Sequence, residues 1–491
     1  MSLSRKIAHN TLIQIAGKII STVLGLFSLA LITRYLGQDG FGEYTTIITF
    51  LTLFAVFADF GLTLVTVQMI SAVKDRVREE KILNNLFSFR LISIIAFLAL
   101  SPVILIFLPY TAAIKTGIII TAVYFVFPSL SQVIIGLMQK KLSMDRAALA
   151  EVLSRLILII GIVLVWFYKL GLNGILIATV ISGASSFIFH YLLAIKFVTI
   201  RCGWDLSLFK EILHRSWPLA ITIILNLIYL RTDIIFLSLF KGTSEVGLYG
   251  AAYKVVDVLT TLPFMFAGLI LPILTASWLN GKREYFKVVL QRAFDFMAII
   301  AIPLIVGGLF LAEPVMTAVA GKEFSESGAI LKLLIIAVAA IFLGTMFSHA
   351  VIALDKQKKL IGFYAFTSLS SLAAYLILIP RFSYFGAAAV TIYSEVLIAI
   401  FSAYCVFKYS RFVPNFKIIG KTLISSALMG LMIVIFPKTW QTNVFGLITI
   451  IVVASIFYFL TLFIIGGIKI SDLKALSKKS TGAEPYNSSN L

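Results

Sequence analysis

Charge is scarce in this 491-residue chain, with Asp, Glu, Lys and Arg making up 13% of it, where a soluble globular protein carries about 25%. That scarcity excludes an ordinary soluble enzyme. Cysteine is scarcer still: Cys202 and Cys405 are too few for a disulfide scaffold, and neither lies in a CxxC or Cys/His pattern, so redox and zinc chemistry lose their sequence signals. No GxxxxGK[ST] phosphate loop occurs and no polar stretch has room for a nucleotide-binding domain, which argues against ATP-driven transport by this chain alone. No cofactor, metal site or catalytic group is indicated. What abounds is apolar, at 60% hydrophobic residues. Acid is outnumbered, 22 Asp+Glu against 41 Lys+Arg, for a net charge of +19. In a soluble protein such a surplus would suggest nucleic acid, so the location of the charges decides its meaning.

A helix crosses a bilayer core with about 20 mostly apolar residues, because every backbone polar group must be satisfied within the segment. Fourteen such stretches are predicted, near 11–33, 43–70, 86–108, 112–138, 147–167, 172–196, 216–240, 247–276, 288–311, 328–353, 361–379, 385–407, 418–437 and 443–467. The first exceeds the apolar length of a signal peptide and reads as a span. Alternate loops separate sharply, one set holding 28 Lys and Arg and the other 7, which places both termini in the cytoplasm. The cytoplasmic loops thereby carry +17 of the +19. The surplus is a topology signal with attraction to anionic membrane lipids as its consequence, and no nucleic-acid partner is implied. All five tryptophans fall at or just beyond span ends, as interfacial anchors do. The longest outer loop is expected over about 312–328 and the longest inner connections over 197–215 and 277–290. The Ser/Asn-rich tail 468–491 reads as disordered.

The chain also repeats itself. Gly37, Gly42 and Tyr44 after the first span coincide with Gly242, Gly247 and Tyr249 after the seventh at a constant offset of 205 residues. Gly174 and Thr179 match Gly386 and Thr391 at an offset of 212. Six spans per half is an even number, so the halves run parallel, related by an axis along the membrane normal. The expected fold is an all-α polytopic membrane protein of about 14 transmembrane helices: two six-helix bundles, 1–210 and 211–412, then helices 13 and 14 over 413–467 and a cytoplasmic tail.

The same residues carry a family resemblance. Thr33-Arg34-Tyr35-Leu36-Gly37-Gln38-Asp39-Gly40-Phe41-Gly42-Glu43-Tyr44 resembles the RxLGxxxFGxY signature of prokaryotic polysaccharide-biosynthesis transporters. These are the Wzx-type flippases of the multidrug/oligosaccharidyl-lipid/polysaccharide exporter superfamily. Asp59-Phe60-Gly61-Leu62 is similar to the family's DFGL element, and Arg231-Thr232-Asp233 with Glu245–Tyr253 to its RxD…EVGxYxxAY element. The resemblance covers helices 1–12. It implies movement of a lipid-linked oligosaccharide, typically on a polyprenyl-diphosphate carrier, from the inner to the outer leaflet of a prokaryotic cell membrane. It also implies two bundles around a cavity that opens alternately to each side. Ion coupling to H+ or Na+ and work beside glycan polymerase machinery belong to the same expectation.

Charges left inside the spans are the functional candidates, since each costs about 2.5–3.5 kcal/mol at a helix centre on insertion scales. A diphosphate headgroup must exchange its hydration for charge-assisted bonds, which nominates the cations Arg231, Lys18, Lys254, Arg90 and Arg155. Arg231 leads, being a fork-shaped donor within a matched motif. For ion coupling or gating the candidates are Asp257, Glu395, Asp59, Asp233 and Glu151. Spacing suggests partners: Glu151 with Arg155 and Lys254 with Asp257 along one helix, and Lys18 with Asp59 across helices. Arg90 and Lys332 lie near span ends and are expected to snorkel. His190 and His349 read as interface packing. Pro263 and Pro272 make helix 8 the candidate bending element. Two rival functions remain: a small-molecule exporter of the same superfamily, which calls for a carboxylate-dominated cavity, and a membrane glycan polymerase or ligase. The second calls for an acid/base constellation on an outer loop, and the short outer loops hold no His and no recognisable pair.

Overall fold

The computed structural model describes residues 3–73, 75–198 and 200–468. They form α1 (Leu3–Asp59), α2 (Leu62–Ser71), α3 (Arg76–Ile106), α4 (Ala112–Lys140), α5 (Met144–Tyr168), α6 (Gly171–Ala194), α7 (Leu206–Phe240) and α8 (Thr243–Leu279). The second part continues with α9 (Arg283–Ala320), α10 (Ser327–Ala353), α11 (Ile361–Ser410), α12 (Lys417–Ile435), the short α13 (Lys438–Gln441) and α14 (Val444–Ile464). No strand occurs among the described residues.

Among the described residues, twelve continuous helical runs are long and apolar enough to cross a membrane, and two of them, Ala16–Ser71 and Gln357–Ser410, have 56 and 54 residues. These two cross twice. Within α11 the break is Ser383 (φ 52°, ψ −134°). Phe363 stacks on Phe401 with ring centroids 4.4 Å apart, and Tyr393 donates to Ser370 at 3.0 Å; both pairs are centred beside Ser383, so the two arms are antiparallel. Within α1 the break is Gly37 (φ 66°, ψ −172°), a left-handed conformation that glycine adopts without a Cβ penalty. Before it, Gly17 and Ser21 lie against Ala148 and Glu151, near the start of α5, while Tyr35 reaches Val165 at its end. After it, the chain returns to set Ala58 and Asp59 against Ser93 and Arg90 of α3. Among the described residues the crossings are therefore fourteen, as expected, and the protein is a multi-pass membrane protein.

Three local expectations are corrected. The loop foreseen over 312–328 is mostly helix: α9 runs on to Ala320, a 3-10 turn covers Lys322–Phe324, and α10 starts at Ser327. Glu313 and Pro314 break the apolar pattern there, but the helix still satisfies its own backbone. The connection over 277–290 shrinks to three residues between α8 and α9. The second span is not one helix over 43–70, because Phe60 and Gly61 take φ of 46° and 79° and separate α1 from α2. The first turn of α7 is capped by Asp205 through the amides of Ser207 and Leu208. Of the tail foreseen over 468–491, residues 469–491 lie outside the described residues.

The repeated glycines sit where α1 and α8 cross. A Cβ on Gly42 would lie 1.8 Å from the carbonyl oxygen of Thr243, and one on Gly247 would lie 2.1 Å from that of Gln38. Around this contact Thr243 Oγ1 donates to Asp39 Oδ1 at 2.6 Å, Ser244 Oγ to Gln38 Oε1 at 2.6 Å, and Arg34 to the carbonyls of Ala318 and Val319 at 2.7 and 2.9 Å. The α12–α14 pair rests on α9, with Tyr458 Oη donating to the Ile299 carbonyl at 2.7 Å.

Candidate functional site

Three of the nominated charges are withdrawn into packing. Arg90, only 3% exposed, pairs with Asp59 and donates to Ser129 Oγ at 3.1 Å. It does not snorkel. Asp59 also accepts from Thr63 Oγ1 at 2.6 Å, so the Asp-Phe-Gly-Leu element is a helix break whose terminal carboxylate is held from α3. Asp233 is fully buried and accepts from Tyr249 Oη at 2.7 Å and from its own chain at the Ile234 amide, 2.8 Å. Its partner differs from that of Arg231, as the spacing on the helix implied.

The expected pairings are rearranged for Lys18, Glu151 and Arg155. Lys18 faces Glu151 at 3.6 Å, and Ser21 Oγ donates to the same carboxylate at 2.7 Å. Lys18 is therefore not the partner of Asp59, and Glu151 not that of Arg155. The reason is tertiary: α1 lies along α5, with Gly17 against Ala148, and brings a cation closer to Glu151 than its neighbour one turn away. Arg155 is left without an ion pair or hydrogen bond among the described residues. The Lys254–Asp257 pair is present at 3.9 Å, but Asp257 binds Arg231 more closely, at 2.8 Å. The Arg231 guanidinium also lies 5.0 Å from the ring centre of Tyr253. Glu395 has no ion pair or hydrogen bond among the described residues.

Most of these groups face a linked series of cavities. The first, about 550 Å³, lies among α1, α4, α5 and α6 and is lined by Lys18, Glu151 and Arg155 together with Gln14, Tyr124, Gln132 and His190. A second, about 260 Å³, shares Lys18 and Arg155 with it and adds Lys254 and Asp257. A narrow void of about 20 Å³ shares Lys254 and Asp257 with the second and adds Arg231. A last cavity, about 280 Å³, shares Arg231 and Asp257 with that void and adds Tyr229, His349, Tyr364 and Glu395. Four nominated cations thus line one path, and Arg90 stands apart from it.

The path is chemically uneven. Its first part is rich in hydroxyls and amides around an unpaired guanidinium; its last part is aromatic and holds the carboxylates Asp257 and Glu395. Sequence reasoning passed over Gln14, Tyr124, Gln132, Tyr229 and Tyr364, because uncharged polar residues in spans are common and only the helix arrangement turns them inward. His190 and His349, read as interface packing, line the first and last cavities; each uses Nδ1 on the carbonyl four residues before it, at 2.7 and 2.9 Å. Pro263 and Pro272 lie inside a continuous α8. Among the described residues, the hydrogen bonds joining residues up to 198 with residues from 206 onward lie at the end of the molecule away from the basic loops. They involve Arg34, Gln38, Asp39 and Tyr110 on one part, and Ser238, Thr243, Ser244, Ala318, Val319 and Glu323 on the other.

Comparison with known proteins agrees with this architecture. Residues 7–278 match the family described as polysaccharide biosynthesis protein. The chain is 25% identical over 383 residues to a putative O-antigen transporter of Shigella dysenteriae, covering 75% of this chain and 92% of that one. It is 23% identical over 296 residues to the capsular polysaccharide biosynthesis protein CapF of Staphylococcus aureus, covering 60% and 74%. Its fold is similar to that of the lipid II flippase MurJ in an inward closed conformation, with a TM-score of 0.75 at 18% identity over 94% of this chain and 100% of that one.

Proposed function

We propose that this chain, which belongs to the polysaccharide biosynthesis protein family, is a flippase that carries lipid-linked oligosaccharide units from the inner to the outer leaflet of a prokaryotic cell membrane. The names of the Shigella and Staphylococcus relatives support a place in surface-polysaccharide assembly. The observation that carries the reading is Arg155: a guanidinium inside the membrane, facing a polar cavity, with no carboxylate of its own among the described residues. Such a group is costly unless a ligand completes it. A diphosphate between a polyprenyl chain and a sugar carries two negative charges on pairs of non-bridging oxygens, which the planar arginine fork binds two at a time. Lys18 and Lys254 flank Arg155 along the path, and Arg231 follows, so the headgroup meets cations in series. The hydroxyl- and amide-lined first cavity receives the sugars.

The basic loops face the cytoplasm, with both termini there. On that orientation the polar clasp around Gly42 and Gly247 closes the outer end, and alternating access consists of its opening as the parts over 1–210 and 211–412 swing apart. Pro263 and Pro272 let α8 bend during that swing. Coupling draws on a gradient of H+ or Na+, and the translocated unit passes to glycan polymerase machinery. Asp59, Arg90 and Asp233 serve the packing of the helices, and the chain performs no bond-breaking step.

The test is reconstitution into proteoliposomes and measurement of leaflet translocation for a panel of polyprenyl-diphosphate sugars, with and without a proton or sodium gradient. Protein-dependent movement of at least one lipid-linked sugar is expected. Export of small organic cations with no lipid translocation across the panel would refute the reading.

A further inference from the structure

We infer that Glu395 is the proton-binding group of this transporter, so that the coupling ion is H+; the inference rests on the reading of the chain as a gradient-coupled flippase. Of the five carboxylates nominated within the spans, four are satisfied: Asp59 by Arg90, Glu151 by Lys18 and Ser21, Asp233 by Tyr249, and Asp257 by Arg231 and Lys254. Glu395 is only 7% exposed and faces the last cavity of the path with no hydrogen bond or ion pair among the described residues. A carboxylate withdrawn from water without a donor or a cation is tolerated in its neutral form. A proton meets that need at a single oxygen.

The groups around the cavity say when the proton leaves. From α7 come Tyr229 and Arg231, from α8 Tyr253 and Asp257, from α10 His349, and from the first arm of α11 Tyr364. The phenols are neutral. His349 Nδ1 is engaged with the Thr345 carbonyl. Among the described residues lining this cavity Arg231 is the single permanent cation, and Asp257 holds it at 2.8 Å. Two carboxylates on different helices therefore line one cavity with one guanidinium, and the one that lacks it carries a proton. While Asp257 of α8 keeps Arg231, Glu395 stays protonated. When α8 shifts against α7 and α11, Arg231 is released toward Glu395, and the proton passes to the water that then fills the cavity. Proton release is thereby tied to the movement that exposes the other face of the path.

The test is infrared difference spectroscopy of the full chain in lipid nanodiscs, without substrate, titrated with H+ in sodium-free and sodium-containing buffer. A protonated-carboxyl band that disappears on alkalinisation is expected in the wild type, absent in Glu395→Gln, shifted but still titrating in Glu395→Asp, and kept in Asp257→Asn. In proteoliposomes, Glu395→Gln is expected to lose all acceleration by a proton gradient. A band retained in Glu395→Gln, or one that responds to sodium rather than to H+, would overturn the assignment. The spectroscopic arm decides the proton site even if no lipid in the translocation panel moves, so its failure is distinguishable from failure of the flippase reading.

Discussion

Gly42 and Gly247, equivalent positions in the internal repeat, lie against each other's helix starts: the space for a Cβ on each is already taken by a carbonyl oxygen of the other's helix entry, Thr243 for Gly42 and Gln38 for Gly247. Thr45 and Gly250, also 205 residues apart, touch next to them. The repeat is thus a self-matching contact, and the glycines are set by the close approach of two backbones.

Substitution at this contact should act on conformation. Gly42→Leu is expected to push α1 and α8 apart at their crossing, since overpacking a tight contact costs about 1–3 kcal/mol and the obstacle here is backbone. Crosslinking reads it out. With Cys202, which is exposed, replaced by serine, a cysteine pair introduced as Asp39→Cys and Thr243→Cys should form a disulfide efficiently, and adding Gly42→Leu should abolish it. Equal crosslinking in both proteins would show that the clasp tolerates the side chain.

Arg155 and Arg90 should fail in opposite ways. Arg155→Ala removes no partner, so the melting temperature should hold while lipid translocation falls by about 10-fold or more, the loss of one charge-assisted contact of about 1.5–3 kcal/mol; Arg155→Lys should retain part of the rate. Arg90→Ala strands the Asp59 carboxylate, and about 3–5 kcal/mol of stability should be lost. Thermal unfolding in detergent alongside the transport assay separates the two. A destabilised Arg155→Ala would mean that Arg155 is bound within the protein.

Arg231 combines both behaviours. Arg231→Lys keeps a cation beside Asp257 and should impair transport less than Arg231→Ala, which leaves Asp257 with the more distant Lys254 alone. Equal and full translocation in both variants would remove Arg231 from the headgroup path.

A pH effect is expected at the basic end. Asp205 is held well below the usual carboxylate range, first by Lys81 at 2.7 Å, then by the Ser207 hydroxyl and the Leu208 amide. A carboxylate depressed in the folded state adds stability that is fully present above its unfolded value of about 3.9 and is lost as pH falls below it. Hydrogen exchange at residues 203–208 should therefore be flat from neutral pH down to that point and rise in stronger acid after correction for intrinsic rates. In Asp205→Asn the corrected exchange should be faster from neutral pH down to that point and lose its acid step.

The legibility of the sequence follows the range of the forces involved. Span number was readable because a bilayer imposes a length and an apolar composition on each segment independently. Even the two reversals buried within continuous helical runs, at Gly37 and Ser383, lay where the charge alternation required them. Span ends were less readable at 312–328, where Glu313 and Pro314 signal a loop and the backbone stays helical. Partner choice was least readable. Spacing along α5 favours Glu151 with Arg155, but which cation reaches Glu151 depends on how α1 lies against α5.

By itself, then, the sequence determined that this chain is a helical membrane protein with fourteen crossings, an internal repeat and a small set of intramembrane charges, because hydropathy, loop charge and glycine spacing are properties of the chain alone. Only the tertiary structure decided what each charge does. It buried Arg90 against Asp59, left Arg155 and Glu395 without partners among the described residues, and threaded Lys18, Arg155, Lys254 and Arg231 onto one path. The physical reason is that the energy of a charge in a membrane is set by the few groups within bonding distance, and those groups come from other helices.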